Sequence, residues 1–164
     1  MEQLKKLLKK RIEGTKRTVV FGVGSELRSD DAAGLLVALD ISGRLKKSGG
    51  KRNVKVVFGS TAPENLTGEI RKFLPTHIII VDSADIKKKA GTVALINPDE
   101  VGGISFSTHM LPIKMIVDYL LESIKCGITI IGIQPKNLEF NGCLSTEVKK
   151  SVAQVSSAVW AAIK

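Results

Sequence analysis

The sequence predicts a three-layer α/β/α sandwich in which a five-stranded, mostly parallel mixed sheet is flanked by helices. Three observations carry this. Short β-branched runs alternate with segments of helical periodicity, which is the pattern of a parallel sheet with crossover helices. The runs are apolar at almost every position, as in strands covered on both faces. The chain has 164 residues, 43% hydrophobic and 25% charged, enough for one compact domain and too few for two large ones.

Each element has its own signal. Leu4, Leu7, Leu8 and Ile12 recur at helical spacing among lysines, so Glu2 to Ile12 reads as an amphipathic helix. Residues 1–16 are taken as a basic helical extension, and residues 17–164 as a single α/β domain. Thr18 to Val23 is a strand ending in glycines, and Asp31 to Lys47 is helical. Val54 to Phe58 is a second strand, and Pro-Glu opens a helix over Pro63 to Phe73. His77 to Asp82 is a buried strand, Val93 to Ile96 a fourth, and Ile128 to Ile133 a fifth. Leu111 to Ile124 and Thr146 to Ile163 complete the helices. The link Lys87-Lys88-Lys89-Ala90-Gly91 is too short for a parallel crossover, so the strand at Val93 should be an antiparallel edge.

Composition narrows the function classes. Twenty-five Lys+Arg against sixteen Asp+Glu give a net charge of +9, which attracts acidic partners. With 4% aromatic residues and no nucleic-acid motif, a nucleic-acid partner is not expected. Cys126 and Cys143 form neither a CxxC motif nor a disulfide framework and read as inert buried residues of a reducing compartment. Residues 1–17 lack the apolar core of a signal peptide, and no segment reaches the roughly 18 apolar residues of a membrane span. A cytoplasmic protein is expected.

Ligands of an open α/β sheet bind beyond the carboxyl ends of its strands. The first strand is left through Gly22-Val23-Gly24-Ser25-Glu26-Leu27-Arg28-Ser29-Asp30-Asp31-Ala32-Ala33-Gly34, the third through Val81-Asp82-Ser83-Ala84-Asp85. The fourth leads to its helix through Ser107-Thr108-His109-Met110-Leu111-Pro112. Asp31, Asp82 and His109 would offer two carboxylates and an imidazole to zinc, nickel, iron or manganese with open positions, and such a metal activates water. Without a metal, the two acids would form a general acid/base pair. Each also has a plain structural role: Asp30 and Asp31 as helix caps, Asp82 as a turn residue, His109 in a first helical turn behind Ser107-Thr108. His77, at the start of a buried strand, reads as packed. Gly22-Val23-Gly24 lacks the third glycine of a dinucleotide loop, since Leu27 stands there. The lysine run 87–89 reads as a solvated turn, and Gln134-Pro135 as a turn at the rim.

The loop from Gly22 to Gly34, taken with Ser107-Thr108-His109-Met110-Leu111-Pro112, resembles the hydrogenase maturation endopeptidases. Pro63-Glu64-Asn65-Leu66, Val81-Asp82-Ser83-Ala84 and Gly132-Ile133-Gln134-Pro135 follow in the family's order, and the resemblance covers residues 17–164. It implies a peptidase domain that trims the C-terminal extension of a nickel-iron hydrogenase large-subunit precursor after nickel insertion. The family's metal-contacting trio would fall on Asp31, Asp82 and His109, with nickel supplied by the substrate and another divalent metal able to occupy the site in isolation. The expected partner is the nickel-loaded precursor, and the enzyme is expected to act as a monomer. Ser25 stands where the family usually has Asn, Ala32 where Gly is common, and Glu26 at a variable position; none removes a trio residue. An exposed strand edge near the rim would hold an extended peptide. Two alternatives stand beside this reading: a metal-dependent amidase or peptidase acting on another substrate, and a non-catalytic basic binding protein.

Overall fold

The computed structural model describes residues 2–60, 62–106 and 113–164. Its elements run α1 (Glu2–Ile12), β1 (Thr18–Val23), α2 (Ala33–Lys47), β2 (Val54–Gly59), α3 (Thr67–Phe73), β3 (His77–Asp85), β4 (Val93–Ile96), β5 (Ser105–Phe106), α4 (Ile113–Ser123), β6 (Gly127–Ile133) and α5 (Thr146–Ile163). The sheet has the order β2-β1-β3-β6-β4, with β5 added to the end of β3. β1 pairs parallel with β2 and β3, and β3 parallel with β6, while β4 lies antiparallel on β6 at the edge. The mixed sandwich expected from the sequence is the fold, and the short link before Val93 does produce the antiparallel edge.

Alternation along the strands sorts their side chains between two layers. Val19, Phe21, Ile78, Ile80, Ile128 and Ile130 pack with Ile70 of α3 and Ile113, Ile116, Val117 and Leu120 of α4. Val20, Ile79, Val81, Ile131 and Ile133 face α2 and α5 on the other side. The strands are apolar throughout because both faces are covered. The first helix belongs to this second layer: Leu8 is fully buried and Ile12 nearly so, packed in the same cluster as Val155 and Val159 of α5. The lysines of α1 lie outside that stripe, so one short sequence supplies both a core face and a charged face.

Three departures from the sequence reading have local causes. The turn Ser29–Ala32 is 3₁₀ and only then becomes α2, with Ser29 at φ +41 and its hydroxyl donating to the Glu139 carbonyl at 2.9 Å. Pro63–Leu66 is likewise a 3₁₀ turn ahead of α3, and Pro98–Gly103 a further one that starts with the Asn97 N–H donating to Glu100 Oε2 at 3.3 Å. β3 continues to Asp85 because β5 pairs with Ala84 and Asp85 beyond the end of β1. The expected start of the fourth helix at Leu111 lies outside the described residues. No described helix is long and apolar enough to cross a membrane.

Candidate active site

From β1 the chain passes through α2 to β2 on one side, then returns through α3 to β3 on the other. Neighbouring strands whose connections leave in opposite directions open a crevice at their carboxyl ends, where open α/β sheets bind ligands. Asp31 lies on the turn that leaves β1. Asp82 lies on β3 opposite Gly132 of β6, one step past the Gly22–Val81 pair that joins β1 to β3. Both aspartates are fully buried.

Missing side chains make this crowding possible. A Cβ on Gly34 would lie 2.1 Å from the Val81 carbonyl oxygen and 2.2 Å from that of Val23. A Cβ on Gly22 would lie 2.3 Å from the Gly34 carbonyl oxygen. The first turn of α2 therefore rests directly on the ends of β1 and β3, and Asp31, just before it, is held at the same rim as Asp82. Gly24 has φ +142, and a Cβ there would fall 1.9 Å from the Asp31 carbonyl oxygen. Only glycine satisfies both conditions.

Adjacent Asp30 has a different task. Its carboxylate accepts from the backbone N–H groups of Lys136 (2.8 Å), Asn137 (3.0 Å) and Ser145 (2.7 Å) and from the Ser145 hydroxyl (2.9 Å). Ser145 is also the N-cap of α5, its oxygen accepting from the Val148 N–H. Asp30 thus ties the loop after β6 to the turn after β1 and satisfies its buried charge. No side-chain cap hydrogen bond forms on this turn or on α2, while Asp30 and Asp31 do stand as the acidic residues of the first turn, where they favour its dipole. The Asp82 carboxylate accepts from the N–H of Ser83 at 2.7 Å. It shares strand parity with Ile78 and Ile80, and so faces the α3/α4 layer.

His109 lies outside the described residues, and with it the third member of the sequence-derived trio. β5, which runs into that segment, is anchored on Ala84 and Asp85. Two buried aspartates are hard oxygen donors, which fits a divalent metal kept partly open for substrate. Among the described residues, no group of three His, Cys, Asp or Glu is spaced to hold a metal ion by itself.

Two further residues shape the rim. Gln134 Oε1 accepts from the N–H groups of Ile86 (2.9 Å) and Lys88 (3.2 Å), and its Nε2 donates to Asp85 Oδ1 at 3.2 Å. This clamps the β3–β4 turn, where the sequence suggested only a turn at Gln134-Pro135. Lys87, through its ammonium and its backbone N–H, and then Gln134 hold the Asp85 carboxyl below its ordinary range. Glu64, in a segment quoted for its family likeness, lines a pocket between α3 and α4; its sequence signal was the Pro-Glu-Asn string, which names no chemistry by itself. His77 is packed as expected, its Nε2 2.9 Å from Thr129 Oγ1. Cys126 is half-buried, and burial pushes its thiol up, away from a reactive thiolate. Cys143 is exposed, against the buried position expected for it.

Known proteins extend the comparison. The profile of the hydrogenase maturation protease family matches residues 39–162. A protein of Methanocaldococcus jannaschii named as a hydrogenase maturation protease is 38% identical over 90% of this chain and 89% of its own length. The crystal structure of a nickel-iron hydrogenase maturation protease, HycI, from Thermococcus kodakarensis superposes with a TM-score of 0.82 at 27% identity, covering 96% of this chain and 99% of that one. The solution structure of the endopeptidase HycI from Escherichia coli gives a TM-score of 0.76 at 31% identity over 88% of this chain and 89% of that one. A family of endopeptidases leaves no place for the non-catalytic binder considered from the charge. With relatives of this similarity over nearly its whole length, the chain belongs to the hydrogenase maturation protease family and is a hydrolase of the peptidase type.

Proposed function

We propose that this enzyme removes the C-terminal extension of a nickel-iron hydrogenase large-subunit precursor after nickel has been inserted, acting as a monomer in the cytoplasm. What supports this site assignment is that two fully buried carboxylates, Asp31 on the turn leaving β1 and Asp82 on β3, belong to the two neighbouring strands at which the strand order reverses. With His109 they form the catalytic and nickel-engaging set. Nickel arrives as part of the substrate, held by the precursor, and its role there is to orient the peptide and polarise the bond to be cut. Hydrolysis then needs a water whose proton passes to a carboxylate as its oxygen bonds to the scissile carbonyl carbon. The C–N bond breaks as the proton is returned to the departing amine. A buried site favours this, because an aspartate away from bulk water holds and releases a proton at a fixed place.

The test uses the purified chain with a large-subunit precursor from the same source, nickel-loaded and nickel-free, and follows the precursor by mass. Loss of a C-terminal peptide from the nickel-loaded form alone is the expected result. Cleavage of both forms would remove the nickel requirement, and cleavage of neither would point to an amidase or peptidase acting on another substrate.

A further inference from the structure

Pro63-Glu64-Asn65-Leu66 takes no part in the hydrolytic steps above, yet it stands at the same rim. A Cβ on Gly59, the last residue of β2, would lie 2.9 Å from Pro63 Cβ and 2.7 Å from the Phe21 ring, so the 3₁₀ turn sits over the ends of β1 and β2. Phe21, like Asp82, points to the α3/α4 face. Both α3 and α4 end just before strands that begin at the opposite end of the sheet, His77 of β3 and Gly127 of β6, which pair with each other. Their first turns therefore lie on the rim side. Between them Glu64, Thr67, Met115, Ile116 and Tyr119 line a pocket of about 250 Å³.

The wall hydroxyls are already engaged, that of Thr67 donating to the Glu64 carbonyl at 2.8 Å and that of Tyr119 accepting from Arg71, whereas Glu64 Oε2 is buried and finds no hydrogen-bond partner among the described residues. An ionised oxygen in that position is costly unless something pairs with it. The chain carries 25 lysines and arginines, and no described one forms an ion pair with Glu64. Arg71, the basic neighbour on α3, instead donates to the Tyr119 hydroxyl at 3.1 Å, which fixes one wall. A buried acceptor among Met, Ile and Tyr side chains suits a long cationic side chain, whose methylenes pack on the walls while its head meets the carboxylate.

We infer that this pocket receives an arginine or lysine side chain of the substrate polypeptide, making Glu64 a specificity-determining residue. The assignment to substrate rests on the rim being the hydrolytic site.

The test has two arms. In the first, Glu64→Gln is assayed on the nickel-loaded precursor, and on precursors in which basic residues near the cleaved bond are replaced by Gln one at a time. The expected loss in kcat/KM is about 10- to 100-fold, the range of a charge-assisted hydrogen bond, and falls mainly on KM. One of the substrate replacements should cost the wild-type enzyme as much and Glu64→Gln nothing further. Wild-type kcat/KM in Glu64→Gln, or losses that multiply for every basic residue, would overturn the assignment. The second arm needs no turnover: N-butylguanidinium is titrated while the methyl signals of Met115 and Ile116 are followed by NMR. Saturable shifts in the wild type that vanish in Glu64→Gln are expected, and their absence in the wild type would overturn the pocket. Shifts without cleavage of any precursor would sink the hydrogenase reading and leave the pocket standing. Glu64→Gln should melt close to wild type, since Glu64 is half-buried and its buried Oε2 makes no hydrogen bond that the change would remove.

Discussion

The two ends of the sheet bury polar groups in opposite ways. At the amino end a missing side chain seats a ring: a Cβ on Gly127 would come within 2.5 Å of His77 Nδ1, and the other ring nitrogen pairs with Thr129 Oγ1. At the carboxyl end, missing side chains at Gly22, Gly24 and Gly34 let one backbone settle on another, on the turn that carries Asp31 and at the end of β3 that carries Asp82, both fully buried. The amino end is closed around a neutral pair, whereas the carboxyl end buries three acidic side chains, Asp30, Asp31 and Asp82. Burial alone therefore does not mark a functional residue. Asp30, as buried as Asp31, holds the fold together through four hydrogen bonds that its carboxylate accepts.

Gly34→Ala would force a methyl onto two backbone oxygens that cannot move independently. We expect a loss of roughly 3 kcal/mol or more in urea unfolding, at the upper end of overpacking effects, accompanied by loss of processing. His77 should give the next largest effect. Burial first, and Arg11 second, lower its pKa from 6.5 to about 4. Above pH 6.5 both folded and unfolded chains carry it neutral, and it adds no pH dependence. As pH falls from 6.5 towards 4, the unfolded chain takes up a proton that the folded chain refuses, so stability declines, by up to about 3 kcal/mol. Urea titrations from pH 7 to pH 4 should show this decline in the wild type and a flatter profile in His77→Gln. Asp30→Asn should cost less, about 2 kcal/mol, because one charged acceptor is replaced by an amide among donors. Hydrogen exchange should quicken at the amides of Lys136, Asn137 and Ser145 and stay unchanged at those of β1.

Much of the fold was legible because its strands are long, apolar and β-branched, as in Ile78 to Val81 and Ile128 to Ile131. The antiparallel edge followed from loop length alone. β5 escaped because two residues have no period, and its pairing with Ala84 and Asp85 depends on chain far away in sequence. The 3₁₀ starts of α2 and α3 carry the same apolar spacing as an α-helix, so composition does not separate them. The amphipathic stripe of α1 was visible, but its burial against α5 depends on the finished layer. The placement of Asp31 and Asp82 beside the carboxyl ends of β1 and β3 was legible from strand ends, whereas the four hydrogen bonds that occupy Asp30 were not. They are set by where residues 136–145 return, a fact of the tertiary structure.

The most direct measurement compares Asp31→Asn and Asp82→Asn with Asp30→Asn, recording the rate of C-terminal processing of a nickel-loaded precursor beside the melting temperature of each variant. The account predicts that the first two melt near the wild type and lose on the order of 10²–10⁴-fold in rate, the range for removing a catalytic proton-transfer group, while Asp30→Asn loses mainly stability. Processing by Asp31→Asn or Asp82→Asn at a rate close to wild type would contradict it.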